Sequence, residues 1–331
     1  MLALLVGACR SAPLERVELD APAMGTQFRV VLYAEDATAG ESAARAALER
    51  VHELERTLSD YRDDSELTRL GRQSDAHAPT EWLALGADLE RVLRVSQQLS
   101  ELTGGAFDVT VGPLTALWRR ARRQQELPRA ERIDAALAAS GWRKLELDPA
   151  APRARLHASG MRLDPGGIAK GFALDEALAL LERAGYSRAM VVGGGDVAVG
   201  DAPPGEAGWR VAIAPFDDER ARLELRLERC AVSTSGDVFQ ALELDGRRWS
   251  HIVDPRSGWA LERRVSASVI APYATLSDAL ATALCVAGPD GLSMLRYFER
   301  VEARVVTERS GAFESVETPG FGRGVEVRAA R

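Results

Sequence analysis

The spacing of apolar residues changes character along this chain, and that change limits what it can fold into. Up to residue 184 they recur mostly at helical spacing; beyond it they form short strand-like runs. Helix patterns cover Glu41–Leu58, Ser65–Leu70, Glu81–Leu102, Leu114–Gln125, Arg129–Ser140 and Phe172–Ala184. Two more follow at Ser277–Val286 and Gly291–Arg300. Strand patterns cover Thr26–Tyr33, Lys144–Leu147, Ala154–His157, Met161–Leu163, Ala189–Val192, Trp209–Ala214 and Leu223–Leu227. Further ones are Phe239–Leu244, Arg248–Val253, Val265–Ile270 and Arg304–Thr307. Asp245-Gly246 between two of them is a hairpin signal. The tail from Gly311 reads as a loop with a terminal strand. The expected class is α+β, helices concentrated in the N-terminal half and antiparallel strands in the C-terminal half, around a shared cleft.

The bulk properties narrow the function. The chain has 331 residues, 46% hydrophobic and 27% charged, as in soluble globular proteins. A net charge of -7 argues against nucleic acid as a partner. The one dense basic cluster, Arg119, Arg120, Arg122 and Arg123, reads as an exposed helix face. Cys230 and Cys285 lie in apolar patterns that favour buried free thiols, although an oxidising compartment would allow them to pair. Cys9 follows the apolar run Leu2 to Ala8, which resembles a bacterial lipoprotein signal. The division expected is a signal and tether over 1–20 and one domain over 21–331. Cleavage before Cys9 and its lipidation would anchor the protein to a membrane.

The stretch Asp164-Pro165-Gly166-Gly167-Ile168-Ala169-Lys170-Gly171 carries the densest chemistry. Glycines allow close backbone approach, and the following helix start offers unpaired N–H groups to an anion. Of 42 Lys and Arg residues only Lys144 and Lys170 are lysines. The stretch lacks Gly-Lys-Ser/Thr and so is not a P-loop; an anion site and an ordinary helix cap both fit it. Gly193-Gly194-Gly195-Asp196-Val197-Ala198 matches the dinucleotide fingerprint in letters only, because no helix pattern follows it. Asp278 and Thr282 lie four apart on one helix face and offer hard oxygens suited to Mg²⁺. A first-turn carboxylate also suits the helix dipole by itself. His251, beside a turn, reads either as a structural histidine or as a base active near neutral pH.

Several further segments join these in a fixed order: Ala23-Met24-Gly25-Thr26, Leu58-Ser59-Asp60-Tyr61 and Gly105-Ala106-Phe107-Asp108-Val109-Thr110-Val111-Gly112-Pro113-Leu114. After the Asp164 stretch come Val192 to Gly195, Ser233-Thr234-Ser235-Gly236-Asp237, Ser250 to Pro255 and Ser277 to Thr282. Taken together, the chain resembles the ApbE-type FAD:protein FMN transferases. The resemblance implies an ApbE/T-fold-like single globule. It also implies an exported, Mg²⁺-dependent bacterial enzyme on the periplasmic side of the membrane. Such enzymes attach FMN from FAD to a Ser/Thr hydroxyl and release AMP. The partners implied are acceptor flavoprotein subunits of membrane redox complexes, with a Ser/Thr-Gly-Ala-Thr type motif.

By position, the resemblance assigns Met24, Tyr61, Ala106, Phe107, Asp108, Asp164, Lys170 and Val253 to FAD. It assigns Gly167 (through its carbonyl), Asp278 and Thr282 to magnesium, and His251 to proton abstraction. Ala281 departs from it, since some members carry a second aspartate there. Two alternatives use the same residues: an FAD pyrophosphatase giving FMN and AMP, and a flavin-binding lipoprotein without catalysis.

Overall fold

Near the N-terminus the chain folds back on itself at Met24 and Gly25, whose φ values are 50° and 73°. Two consecutive left-handed residues give the twist that a tight antiparallel hairpin needs. The turn joins β1 (Glu15–Ala23) to β2 (Thr26–Ala34). The computed structural model describes residues 13–217, 222–236, 241–244, 246–321 and 328–329. The lipoprotein-type run ending at Cys9, together with Asp237, Val238, Phe239, Gln240 and Asp245, lies outside the described residues.

The helices are α1 (Ala37–Leu58), α2 (Glu66–Arg72), α3 (Ala87–Leu102), α4 (Gly112–Gln124), α5 (Ala130–Ala138), α6 (Ala169–Arg183) and α7 (Ala274–Ala287). The strands after β2 are β3 (Leu83–Ala84), β4 (Leu145–Leu147), β5 (Arg153–Leu156), β6 (Ala189–Gly193), β7 (Asp196–Val199), β8 (Trp209–Ile213) and β9 (Leu223–Leu227). Then come β10 (Cys230–Gly236), β11 (Ala241–Leu244), β12 (Arg247–Ser250), β13 (Val265–Ala271), β14 (Glu302–Arg309), β15 (Ala312–Glu317) and β16 (Arg328–Ala329).

Eight strands form one antiparallel sheet in the order β1-β2-β6-β7-β10-β13-β14-β15. Its central strands are buried on both faces. In β2, Phe28, Val30 and Leu32 enter the main core, which also holds buried side chains of α1, α6 and α7. Val31 points the other way, into a second core with Trp209, Val211, Leu225 and Leu227 of β8 and β9. This two-sided burial follows from the strand period of two. A third core joins α4 and α5 to the β11–β12 hairpin through Leu114, Trp118, Ile133, Leu242 and Trp249.

Several sequence expectations need correction. The helix expected over Glu81–Leu102 begins only at Ala87, because Leu83–Ala84 pairs with β5 and extended Gly86 precedes the helix. Met161–Leu163 joins no sheet; its apolar alternation reflects burial of Met161 and Leu163 in the main core. The expected helix over Gly291–Arg300 is a run of 3-10 turns over Pro289–Tyr297. Arg248–Val253 is strand only as far as Ser250. The tail from Gly311, expected as a loop with a terminal strand, holds strand β15 directly after Gly311 as well as the short terminal β16, and β1 adds a strand ahead of β2. Cys230 and Cys285 are both free. Among the described residues, no helix is long and apolar enough to cross a membrane.

Helices α6 and α7 meet at Gly171. A Cβ there would overlap the Ala274 carbonyl oxygen and come within 2.9 Å of the Asp278 Cβ. The start of α7 is also tied to α6. Asp175 of α6 accepts from the backbone N–H groups of Ala274 and Thr275 at 2.7 and 2.8 Å. Gly171→Ala is therefore expected to destabilise the fold by about 1–3 kcal/mol through overpacking. Equilibrium urea unfolding checks this, and an unchanged midpoint would show that the crossing has slack.

Candidate functional site

A cleft of about 790 Å³ opens between the α6–α7 pair and the third core, and both halves of the chain line it. Met24, Tyr61, Ala106, Phe107, Asp108, Asp164, Gly167, Lys170, His251, Val253, Asp278 and Thr282 all border it. Residues chosen from sequence at positions up to 258 apart thus meet in one place.

The wall from α6 and α7 carries charge. Lys170 Nζ lies 2.7 Å from Asp196 Oδ2 and 3.4 Å from each carboxylate oxygen of Asp278. Both aspartates are only 2% exposed. Burial works against the lysine's charge, but Asp196 and Asp278 outweigh it and raise its pKa. Burial lifts the Asp196 carboxyl to about 6, with Lys170 opposing and Asp278 adding to the rise. Asp278 also accepts the Gly171 N–H at 3.0 Å. Asp196 occupies the β6–β7 hairpin, whose turn uses left-handed Gly194 and Gly195. The glycine run that mimics a dinucleotide fingerprint is therefore a hairpin turn supplying the lysine's partner. Sequence reading passed over Asp196. A carboxylate directly after three glycines was the available signal.

Three oxygens suit a hard cation. Gly167 packs against Thr282 so closely that a Cβ at 167 would lie 2.7 Å from Thr282 Oγ1. Ser235 Oγ is 3.2 Å from the same hydroxyl. Among the described residues no group of three or more His, Cys, Asp or Glu could hold a metal. Asp278, Thr282 and the Gly167 carbonyl would offer a cation one carboxylate, one hydroxyl and one backbone oxygen. That fits Mg²⁺, which keeps waters and shares substrate phosphates, better than it fits zinc. Ala281 is fully buried in the main core.

The facing wall comes from α4, its neighbours and the segment after β12. Asp164 accepts from Thr115 Oγ1 at 2.6 Å and from Arg119 at 2.7 Å, and its other oxygen accepts the Gly166 N–H at 2.9 Å. Arg119 also pairs with Asp60 and lies 4.4 Å over the Tyr61 ring. Tyr61 is 77% exposed, so its ring is available to a planar ligand. Met24, in its left-handed turn, donates its N–H to Glu55 at 2.9 Å. The Asp108 carboxylate borders the cleft but is committed elsewhere. It accepts from the Thr110 N–H and hydroxyl, both at 2.7 Å, and from the Trp142 N–H at 2.8 Å. It organises its loop.

His251 stands open to the water of the cleft. Desolvation by the cleft walls and then Arg122 push its pKa below the ordinary histidine value; Asp164 opposes them, and Lys170 and Arg119 add smaller effects. The ring is therefore neutral at pH 7 and can accept a proton.

The ApbE family's sequence profile matches residues 24–305. The chain belongs to the ApbE family. It is 31% identical over 310 residues to an FAD:protein FMN transferase of Escherichia coli, covering 92% of this chain and 87% of that protein. It is 29% identical over 324 residues to the Vibrio cholerae protein of the same name, covering 96% and 95%. The solved flavin transferase ApbE from Vibrio cholerae superposes with a TM-score of 0.82 at 28% identity, covering 93% of this chain and 99% of that one. The α+β class and the antiparallel sheet are those of this ApbE structure.

Lys170→Met would leave Asp196 and Asp278 buried without their cation. In metal-free protein at pH 8 it is expected to cost about 3 kcal/mol of stability. The loss should shrink toward pH 5, because Asp196 already titrates near 6 and takes a proton more readily without the lysine. Urea unfolding at both pH values checks this; a loss that does not depend on pH would contradict it.

Proposed function

We propose that this chain is an Mg²⁺-dependent transferase that moves FMN from FAD to a Ser/Thr hydroxyl of an acceptor protein and releases AMP. One observation carries the reading: a lysine–carboxylate pair, a hard-oxygen set and a neutral histidine meet in one cleft. The names of the relatives agree with it.

The chemistry needs three things from the protein. The first is charge beside the diphosphate. Lys170 supplies a fixed cation, held in place by Asp196. Magnesium held by Asp278, Thr282 and the Gly167 carbonyl would polarise the phosphoryl oxygens as a Lewis acid. The second is a seat for the flavin, for which Tyr61, Met24, Phe107 and Val253 offer apolar surface around the cleft. The third is a base. The acceptor oxygen bonds to the FMN phosphorus as the bond from phosphorus to the bridging oxygen of AMP breaks. His251 takes the hydroxyl proton, a role that requires the neutral ring the cleft favours.

We also place the activity in residues 21–331, with 1–20 as signal and tether. On this reading Cys9 is lipidated and the protein works at the periplasmic face of the membrane, on acceptor subunits of redox complexes. The apolar run before Cys9 supports this part.

Incubation with FAD, Mg²⁺ and an acceptor domain should give covalently flavinylated acceptor and AMP, read by mass spectrometry. FMN and AMP without modified acceptor would instead support a pyrophosphatase, and intact bound FAD a binding protein. Asp278→Ala is expected to lower turnover at least about a hundredfold. A base works in its deprotonated form, so the acid limb of kcat/KM should lie below the ordinary histidine value of about 6.5. An acid limb centred near 6.5 would contradict this account of His251.

A further inference from the structure

We propose that Arg122 is a phosphate-binding residue of the cleft, taking an oxygen of the dinucleotide's diphosphate from the α4 wall. The proposal rests on the reading of this cleft as an FAD site.

Among the described residues, four cations of fixed charge line the cleft: Arg62, Arg119, Arg122 and Lys170. Three of them are already neutralised by carboxylates. Arg62 forks onto Asp64 at 3.0 and 2.9 Å. Arg119 bridges Asp60 and Asp164, and Lys170 sits between Asp196 and Asp278. Arg122 alone makes no ion pair among the described residues. Its position is built rather than incidental. Thr115, Trp118, Arg119 and Arg122 recur at helical spacing on one face of α4, and all four border the cleft. Trp118 fixes that face by burial and by donating to the Gly258 carbonyl at 2.9 Å. The neighbouring Arg120 and Arg123 are exposed and do not line the cleft. The basic cluster that reads as one exposed face in the sequence is therefore split, with half of it turned inward.

Arg122 is half-buried, and its charge is felt at two cleft groups, Tyr61 and His251. A guanidinium so placed, with no carboxylate on it, is suited to a phosphate, which it binds through a planar fork. Lys170 brings a charge already balanced by Asp196 and Asp278, so Arg122 is the cleft cation that adds an unbalanced charge and an open fork to a diphosphate entering here.

The test compares dissociation constants for FAD and for riboflavin, which lacks phosphate, by flavin fluorescence in the presence of Mg²⁺. Arg122→Gln should weaken FAD about tenfold or more and leave riboflavin unchanged. Arg122→Lys should fall between, since it keeps the charge and loses the fork. Arg123→Gln, which makes the same charge change on the exposed face, should match the parent. An FAD constant unchanged in Arg122→Gln would overturn the proposal. So would a rise only in KM for the acceptor protein, which would assign Arg122 to an acidic group of the acceptor. Equal weakening of FAD and riboflavin would also overturn it, as a structural effect. If the parent protein fails to bind FAD, both this proposal and the transferase reading fall; an unchanged FAD constant removes this proposal alone.

Discussion

The cleft depends on how closely α6 can lie against α7. Gly171 permits that approach, because any side chain there would collide with the backbone of Ala274. The crossing sets Lys170, on the residue before, within reach of Asp278 on the facing helix. It also sets Gly167 against Thr282, one helical turn beyond Asp278. Asp175 secures the register from below by holding the first N–H groups of α7. Two glycines, a lysine and two aspartates thus convert a helix packing into a charged wall.

The second wall is assembled differently. It rests on a separate apolar core holding Trp118 and Trp249, whose rings lie 5.3 Å apart, with the exposed Trp259 ring 5.9 and 5.5 Å from them. Arg119 then links α4 to Asp60 and to Asp164, so the loop entering α6 is tied to both sides of the cleft. Neither wall is complete in one half of the chain. The cleft therefore requires the whole fold, and residues from Met24 to Thr282 border it.

Much of this was legible in the sequence, for identifiable reasons. Long amphipathic helices such as α1 announce themselves by period. The glycine stretch before α6 and the Asp278/Thr282 spacing mark chemistry even without a fold. What was missed depends on partners that one segment cannot reveal. Asp196 looks like part of a turn until β7 brings it under Lys170. Asp108 borders the cleft, but only the fold reveals the Thr110 and Trp142 groups that hold its carboxylate. Arg119 and Arg122 look like solvent-facing charge until α4 is oriented by its tryptophan. β1 carries alternating charges that hide an edge strand, because its pairing with β2 comes from the Met24–Gly25 turn.

The central claim is that Asp278, Thr282 and the Gly167 carbonyl form one divalent-cation site shared with the dinucleotide's phosphates. Titration with Mn²⁺ followed by electron paramagnetic resonance tests it directly. In the presence of FAD, one equivalent of Mn²⁺ should lose its free-ion signal in the parent protein, and Asp278→Ala should abolish that uptake. Equal Mn²⁺ uptake by the parent and the variant would contradict the account.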